Sequence, residues 1–162
     1  EGHEACLRVL KESGCDLGLA SNIGRTPALV AAAEGHEGCV RLLKDAGCDL
    51  GQADDNGETP AHAAACYGHE GCLRVLKETG CDLGQADNYG CTPAYEAAWN
   101  GHEACLRLLK AAGCDLGQAD NNGATPACMA AKNGHEGCLR VLKESGCDLE
   151  QADVEEYTRF EF

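Results

Sequence analysis

Apolar and polar positions along the chain alternate between two kinds of short segment. In the longer kind, seen after His69, Cys72, Leu73, Val75 and Leu76 keep helical spacing, while Glu70 and Arg74 fall on the opposite side. That stripe predicts an amphipathic helix with one face against a neighbour. In the shorter kind, seen over 61–65, the residues are almost all alanine. This predicts a brief helix whose small side chains let a second helix approach closely. Both segments return every 33 residues. The string GHEGCLRVLKE-x-GCDLGQAD recurs with few changes from His3, His36, His69, His102 and His135. The looser string NxGxTPAxxAAxx recurs at 22–34, 55–67, 88–100 and 121–133.

The residues between the stripes supply the helix boundaries. Asp54-Asp55-Asn56-Gly57 has the composition of a tight turn. Thr59 is suited to cap the first helix, and Pro60 follows at the position where a missing N–H costs nothing. The alanine pairs 31–32, 64–65, 97–98 and 130–131 repeat with the period. Gly68 ends the first helix, His69-Glu70 opens the second, and Gly80 suits its left-handed stop. Glu70 and Arg74 form an i, i+4 pair in the favourable order, whereas Arg74 and Glu78 have the reverse order.

A period of this length, with a Thr-Pro start and a Gly-His junction, resembles the ankyrin repeat. Four Thr-Pro pairs and five Gly-His pairs in one register carry the resemblance across nearly the whole chain. It implies an all-α fold, a solenoid of antiparallel helix pairs with protruding β-turns. A single array over 1–162 is expected, with a partial first unit at 1–20 and full units at 21–53, 54–86, 87–119 and 120–152. Residues 153–162 form a stub or cap, in which Glu156 replaces the turn glycine and Arg159 the proline. The chain departs from the family pattern at the His of TPLH, which only His62 keeps; Leu29, Tyr95 and Cys128 stand at the other copies. In the family that His ties neighbouring turns, so three ties are in question here. Glu96 occupies a place the family gives to an apolar residue, either reaching the edge or lying buried beside a partner. Gly18, Gly51, Gly84 and Gly117 stand where some family members carry a hydroxylated Asn, so that modification is not carried over.

Composition fits this reading. Aromatic residues make up only 4% of the 162 residues, so Ala, Cys, Leu and Gly must fill thin layers between helices. A solenoid buries apolar surface between neighbours and needs no central core. The formal charge of −14 disfavours nucleic acid and anionic membrane surfaces as partners. No apolar run reaches transmembrane length, and no secretory signal is visible. The chain opens on Glu1 in mid-unit, which reads as a trimmed segment.

Thirteen cysteines raise the question of disulfides. Ten fall into two series, Cys6, Cys39, Cys72, Cys105 and Cys138 in the second helix, and Cys15, Cys48, Cys81, Cys114 and Cys147 after it. Equivalent atoms in stacked helices lie roughly 8–10 Å apart. Disulfides need Cα separations below roughly 7 Å. The cysteines are therefore expected to act as small buried hydrophobes in a reducing compartment, cytosol or nucleus.

The copies differ unevenly. Second helices are nearly invariant, but one turn-tip position reads Ile23, Asn56, Tyr89, Asn122 and another Arg25, Glu58, Cys91, Ala124. The end of the first helix reads Ala33, Cys66, Trp99, Lys132, then Glu34, Tyr67, Asn100, Asn133. Positions free to change size and charge are not needed for stacking. In ankyrin-like arrays the same positions line the concave groove that grips partners. The expected partner-binding set is Ile23, Arg25, Asn56, Glu58, Cys66, Tyr67, Tyr89, Cys91, Tyr95, Trp99 and Asn100. Tyr67, Tyr89, Tyr95 and Trp99 fall in the two middle units, with Tyr89 and Trp99 the main anchors. Tyr95 stands at a position often partly buried, and Tyr157, Phe160 and Phe162 read as cap packing. Glu58 and the Asp-rich turns favour a protein partner of basic character, bound by a monomer.

Two other classes compete: a spacer segment of a longer array, natural or consensus-engineered, and a metal- or redox-responsive element. His62 and Cys66 at i, i+4, with Cys91 nearby, are the best metal candidates, but no close Cys pair of the zinc-finger kind exists. No nucleophile-elbow or H-E-x-x-H string is present, and the glycines mark helix ends rather than a phosphate loop. No catalysis, cofactor or metal is expected.

Overall fold

The computed structural model describes residues 2–149. The stub at 153–162, with Tyr157, Phe160 and Phe162, and the Glu150 substitution lie outside the described residues. Among the described residues the order is α1 (Gly2–Glu12), α2 (Pro27–Ala33), α3 (Glu37–Asp45), α4 (Pro60–Cys66), α5 (Glu70–Glu78), α6 (Pro93–Asn100), α7 (Glu103–Ala111), α8 (Pro126–Lys132) and α9 (Glu136–Glu144). Short first helices α2, α4, α6 and α8 pack on one another in sequence order. Second helices α1, α3, α5, α7 and α9 do the same, and each of α3, α5, α7 and α9 packs against the first helix before it. This is an all-α solenoid. No helix among the described residues is long and apolar enough to cross a membrane.

Local chemistry sets each helix start. Thr26, Thr92 and Thr125 sit in extended backbone, and each side-chain oxygen accepts a hydrogen bond from the backbone N–H three residues on. Pro27, Pro60, Pro93 and Pro126 take the first helical position, where no intrahelical donor is needed. Turn tips form as composition predicts. Gly57 N–H donates to the Asp54 carbonyl, and the Asp54 side chain accepts from the backbone N–H groups of Asn56 and Glu58.

One continuous core runs between the two helix rows. Ala28, Ala32, Ala61, Ala64, Ala65, Ala94, Ala97 and Ala98 are buried from the first helices, and Val40, Leu43, Leu73, Leu76, Leu106, Leu109 and Leu142 from the second. In the helical cysteine series Cys39, Cys72, Cys105 and Cys138 are buried, but Cys6 is exposed. The other series is less covered than a hydrophobe reading implies, with Cys15 exposed and Cys48, Cys81, Cys114 and Cys147 half-buried. These residues lie in the loops after the helices, at the edge of the layer. All thirteen cysteines are free thiols.

Units are tied by polar ladders that single-unit reasoning does not reveal. Backbone N–H groups of Asp55, Asn88 and Asn121 donate to the carbonyls of Ile23, Asn56 and Tyr89, joining successive tips. The Asn88 and Asn121 side-chain amides donate to the carbonyls of Asp55 and Asn88, both at 3.0 Å. These bonds join successive turns both where the family His is missing and where His62 is present. His62 uses both ring nitrogens: Nδ1 accepts from Thr59 N–H and Nε2 donates to the Cys91 carbonyl at 3.0 Å. The junction residues His69, His102 and His135 reach the carbonyls of Ala33, Cys66 and Trp99 in the unit before.

Charged residues also cross between units. Lys11, Lys77 and Lys110 donate to last-turn carbonyls of the next second helix, at Asp45, Ala111 and Glu144. Glu70 pairs with Arg74 as expected, but Glu78 pairs with Arg41 of the preceding unit at 3.1 Å. The span to Arg41 is 37 residues, beyond the reach of an i, i+4 reading.

The junction glycines show why this tie demands Gly. Gly101 has φ 81°, and a Cβ there would meet Nδ1 of His135 at 2.6 Å. Gly113 shares that φ, yet a Cβ there meets nothing within 4 Å. Gly101→Ala and Gly113→Ala therefore carry the same left-handed backbone cost. Urea unfolding is expected to show Gly101→Ala more destabilising by on the order of 1 kcal/mol or more. Equal losses contradict the seat of the His135 ring.

Candidate functional site

The variable positions fall in the turn tips and first helices, some exposed and some buried. Ile23, Asn56 and Tyr89 contribute successive carbonyls to the tip ladder, so they form one row. Ile23, Asn56 and Tyr89 are all exposed, Tyr89 at 63%. Arg25 and Glu58, two residues further along, are half-buried and within electrostatic reach of each other.

A second row runs along the ends of the first helices. Trp99 and Asn100 close α6, and Tyr67 follows the end of α4. Tyr67 and Trp99 are exposed, at 58% and 48%. The Asn100 amide donates to its own-helix Glu96 carbonyl and toward Cys66 Sγ of the neighbouring helix at 3.6 Å. In the following unit the Asn133 amide donates to the Trp99 carbonyl.

The four aromatic residues of the expected patch are therefore arranged as two stations. Tyr89 stands at the tip, and Trp99 with Tyr67 at the far end of the first helices. About 12 Å of helix separates the two stations. Tyr95 is not a surface residue: it is 2% exposed, its ring lies 5.8 Å from Trp99 in an edge-on arrangement, and its hydroxyl donates to Asp120 at 3.3 Å. Tyr95 thus supports Trp99 from below, on a bed of Ala124, Cys128 and Met129 with Cys91 at its edge.

Between the stations lies an acidic floor. Glu96 is half-buried on α6, with the Cys66 thiol as a neighbour that favours its charged form. Burial, with Asp87 and Glu58 nearby, pushes the Glu96 carboxyl above the usual carboxylate range. Glu58 is raised in the same way, by burial and by Asp54 and Asp87. Both alternatives for Glu96 thus prove partly right, since it is half-buried and also has a partner. The cysteines here are poor nucleophiles. Burial, then Glu96, holds Cys66 up to about 11, and burial, then Asp87 and Glu96, holds Cys91 up to about 12. His62 is buried and its pKa lowered by that burial, so the imidazole is neutral, with Nε2–H donating to Cys91. Both of its nitrogens are occupied by the backbone, which leaves no lone pair for the metal site that His62 and Cys66 suggested.

Sequence reasoning used the Asp-rich turns only for their charge and did not single out Asp87 and Asp120 beside Glu96 and Tyr95. Their backbone-capping role hid them, since each Oδ1 also holds a turn together. Their recurrence with Asp54 at one position, beside variable neighbours, was the available signal.

These features describe a repeat scaffold with an invariant back and a variable front. The family model "Ankyrin repeats (3 copies)" matches residues 1–87, 43–120 and 76–153. The chain belongs to the ankyrin-repeat family. Ankyrin repeats are in general protein–protein interaction modules, and proteins built from them are typically non-enzymatic scaffolds. A search of curated proteins returned no match.

The raised Glu96 carboxyl gives a signed pH prediction. Between the ordinary carboxylate pKa and the raised folded value, the folded chain binds more protons than the unfolded one. Stability contributed by this residue therefore falls as pH rises through that window, and the cost is complete above the folded value. Glu96→Gln keeps an acceptor for Cys66 and removes the charge. Its melting temperature is expected to exceed the parent's at pH 7, with the gain vanishing below about pH 4. A gain that persists unchanged at low pH contradicts the burial of an ionised carboxylate here.

Proposed function

We propose that the chain is one continuous ankyrin array over residues 1–162 that recognises a protein partner through the concave groove of its tips and first helices. The observation that carries this reading is that exposed residues of the turn tips and first-helix ends, Ile23, Asn56, Tyr67, Tyr89, Trp99 and Asn100, differ between units. The stacked second helices barely change. Tyr89 at one station and Trp99 at the other are the anchors. Tyr67, Asn56, Ile23 and Asn100 flank them, and Arg25, Glu58, Cys66 and Cys91 contribute half-buried edges.

Docking on this face is a rigid-surface event. Tip ladders and junction histidines hold the anchors before the partner arrives, so few side chains lose freedom on binding. A basic segment suits the floor, because a cation near Glu58 and Glu96 offsets the burial, and the acidic neighbours, that raise their pKa values. The array acts as a monomer without a cofactor or catalytic step, in the cytosol or nucleus where its free thiols stay reduced. The excess of acidic over basic residues, 27 against 13, turns nucleic acid away.

Affinity capture from a native lysate tests this reading. Tyr89→Ala with Trp99→Ala is expected to lose the partners held by the parent while circular dichroism stays helical. The parent's partners should elute with rising salt. Capture by the double variant equal to that of the parent removes the groove from the account.

A further inference from the structure

Position 96 breaks a pattern that the chain otherwise keeps. The residues at the same register of the other first helices are Val30, Ala63 and Met129, all apolar. Ala63 and Met129, in the layers on either side of α6, are buried. Glu96 is half-buried, and that burial penalises its charge. Asp87 and Glu58 add repulsion, and Cys66, the side chain that favours the charged form, carries no positive charge. A place in the first turn of α6 slightly favours an anion, yet the net effect on the carboxyl is upward. The charge therefore costs the fold more than it returns. A residue that costs stability, where the repeat itself supplies apolar alternatives, marks a contact with something other than the stack.

The surroundings define that contact. Trp99 and Asn100 follow Glu96 on α6 at i+3 and i+4, the spacing of side-chain neighbours on a helix. Trp99 is 48% exposed, and Tyr95 braces its ring from beneath. The Asn100 amide is committed to the Glu96 carbonyl and does not occupy the carboxylate. A carboxylate beside an exposed indole matches a guanidinium, which is planar, pairs with carboxylates through two N–H groups and stacks on aromatic faces. The turn aspartates are less suited to the same task. Asp54, Asp87 and Asp120 each hold a tip together through Oδ1, so they contribute field more than contact.

We propose that Glu96 is the specificity-determining residue of the front face, receiving one arginine side chain of the partner beside Trp99. This rests on the groove reading and narrows it from a basic segment in general to one arginine read by one carboxylate. The arginine supplies the positive charge that α6 and its neighbours withhold from Glu96.

Trp99 is the single tryptophan of the chain, so its indole N–H resonance reports this place alone. The probes are acetyl-Leu-Arg-Leu-amide and the same peptide with citrulline for arginine, which keeps the shape and removes the charge. With the full chain at pH 7, the arginine peptide is expected to shift the indole resonance saturably, with a Kd about tenfold or more below that of the citrulline peptide. Glu96→Gln is expected to bring the two peptides within about twofold of each other while circular dichroism stays helical and the melting temperature does not fall. Stability and binding thus move apart, which a structural role for Glu96 does not produce. Glu58→Gln is expected to keep the preference for arginine. No shift with the arginine peptide up to about 10 mM overturns the inference, as do equal shifts from both peptides on the parent chain, which need no variant. A preference that survives Glu96→Gln, or that Glu58→Gln removes equally, also overturns it. A captured partner that needs Tyr89 and Trp99 but binds Glu96→Gln as tightly as the parent removes this inference and leaves the groove reading standing.

Discussion

Close approach of the first helices over alanine is the constraint on which the array rests. Each first helix has neighbours on several sides: the first helices of adjacent units and the second helix of its own. Ala32, Ala64, Ala65, Ala97 and Ala98 are fully buried there. Such contact surfaces leave no space for longer side chains, so packing complementarity takes the place of bulk. A chain with so few aromatic residues makes a continuous core only by bringing backbones together in this way.

Close approach also sets the polar architecture. Backbones this near must satisfy one another's donors and acceptors. Tip carbonyls, junction histidines and last-turn lysines do so across every interface they reach. These ties span 32 to 36 residues, close to one repeat. One consequence is a stiff front. Tyr89 is fixed through its own carbonyl, and Trp99 through the carbonyl that accepts from His135 and Asn133. The residues that vary between units are thus mounted on the most repetitive bonds in the molecule.

Much of this was legible in the sequence because local rules and the repeat agree. Thr-Pro pairs mark the first helices, Gly-His junctions mark the second, and the apolar stripe names Leu73 and Leu76 as core. Cross-unit pairing was not legible, because a rule for neighbours on one helix cannot see Arg41 beside Glu78 or Lys77 at Ala111. The surface was only half legible. Divergence pointed to the turn tips and first helices, but Tyr95 looks like Tyr89 in sequence, and only the packing of α6 on α8 puts its ring underneath. Cys6 and Cys15 carry the same letters as their buried or half-buried equivalents, and their exposure follows from what stands beside α1 and its loop.

Stability of an Ala98→Leu variant is the most direct measure of the close-approach claim. Ala98 is fully buried, and leucine adds three carbons with no cavity to take them. Urea unfolding is expected to show a loss of about 2 kcal/mol or more, the range for overfilling a tight core. Stability equal to or above the parent's would mean that the first helices have room to spare, contrary to an array held together by small side chains.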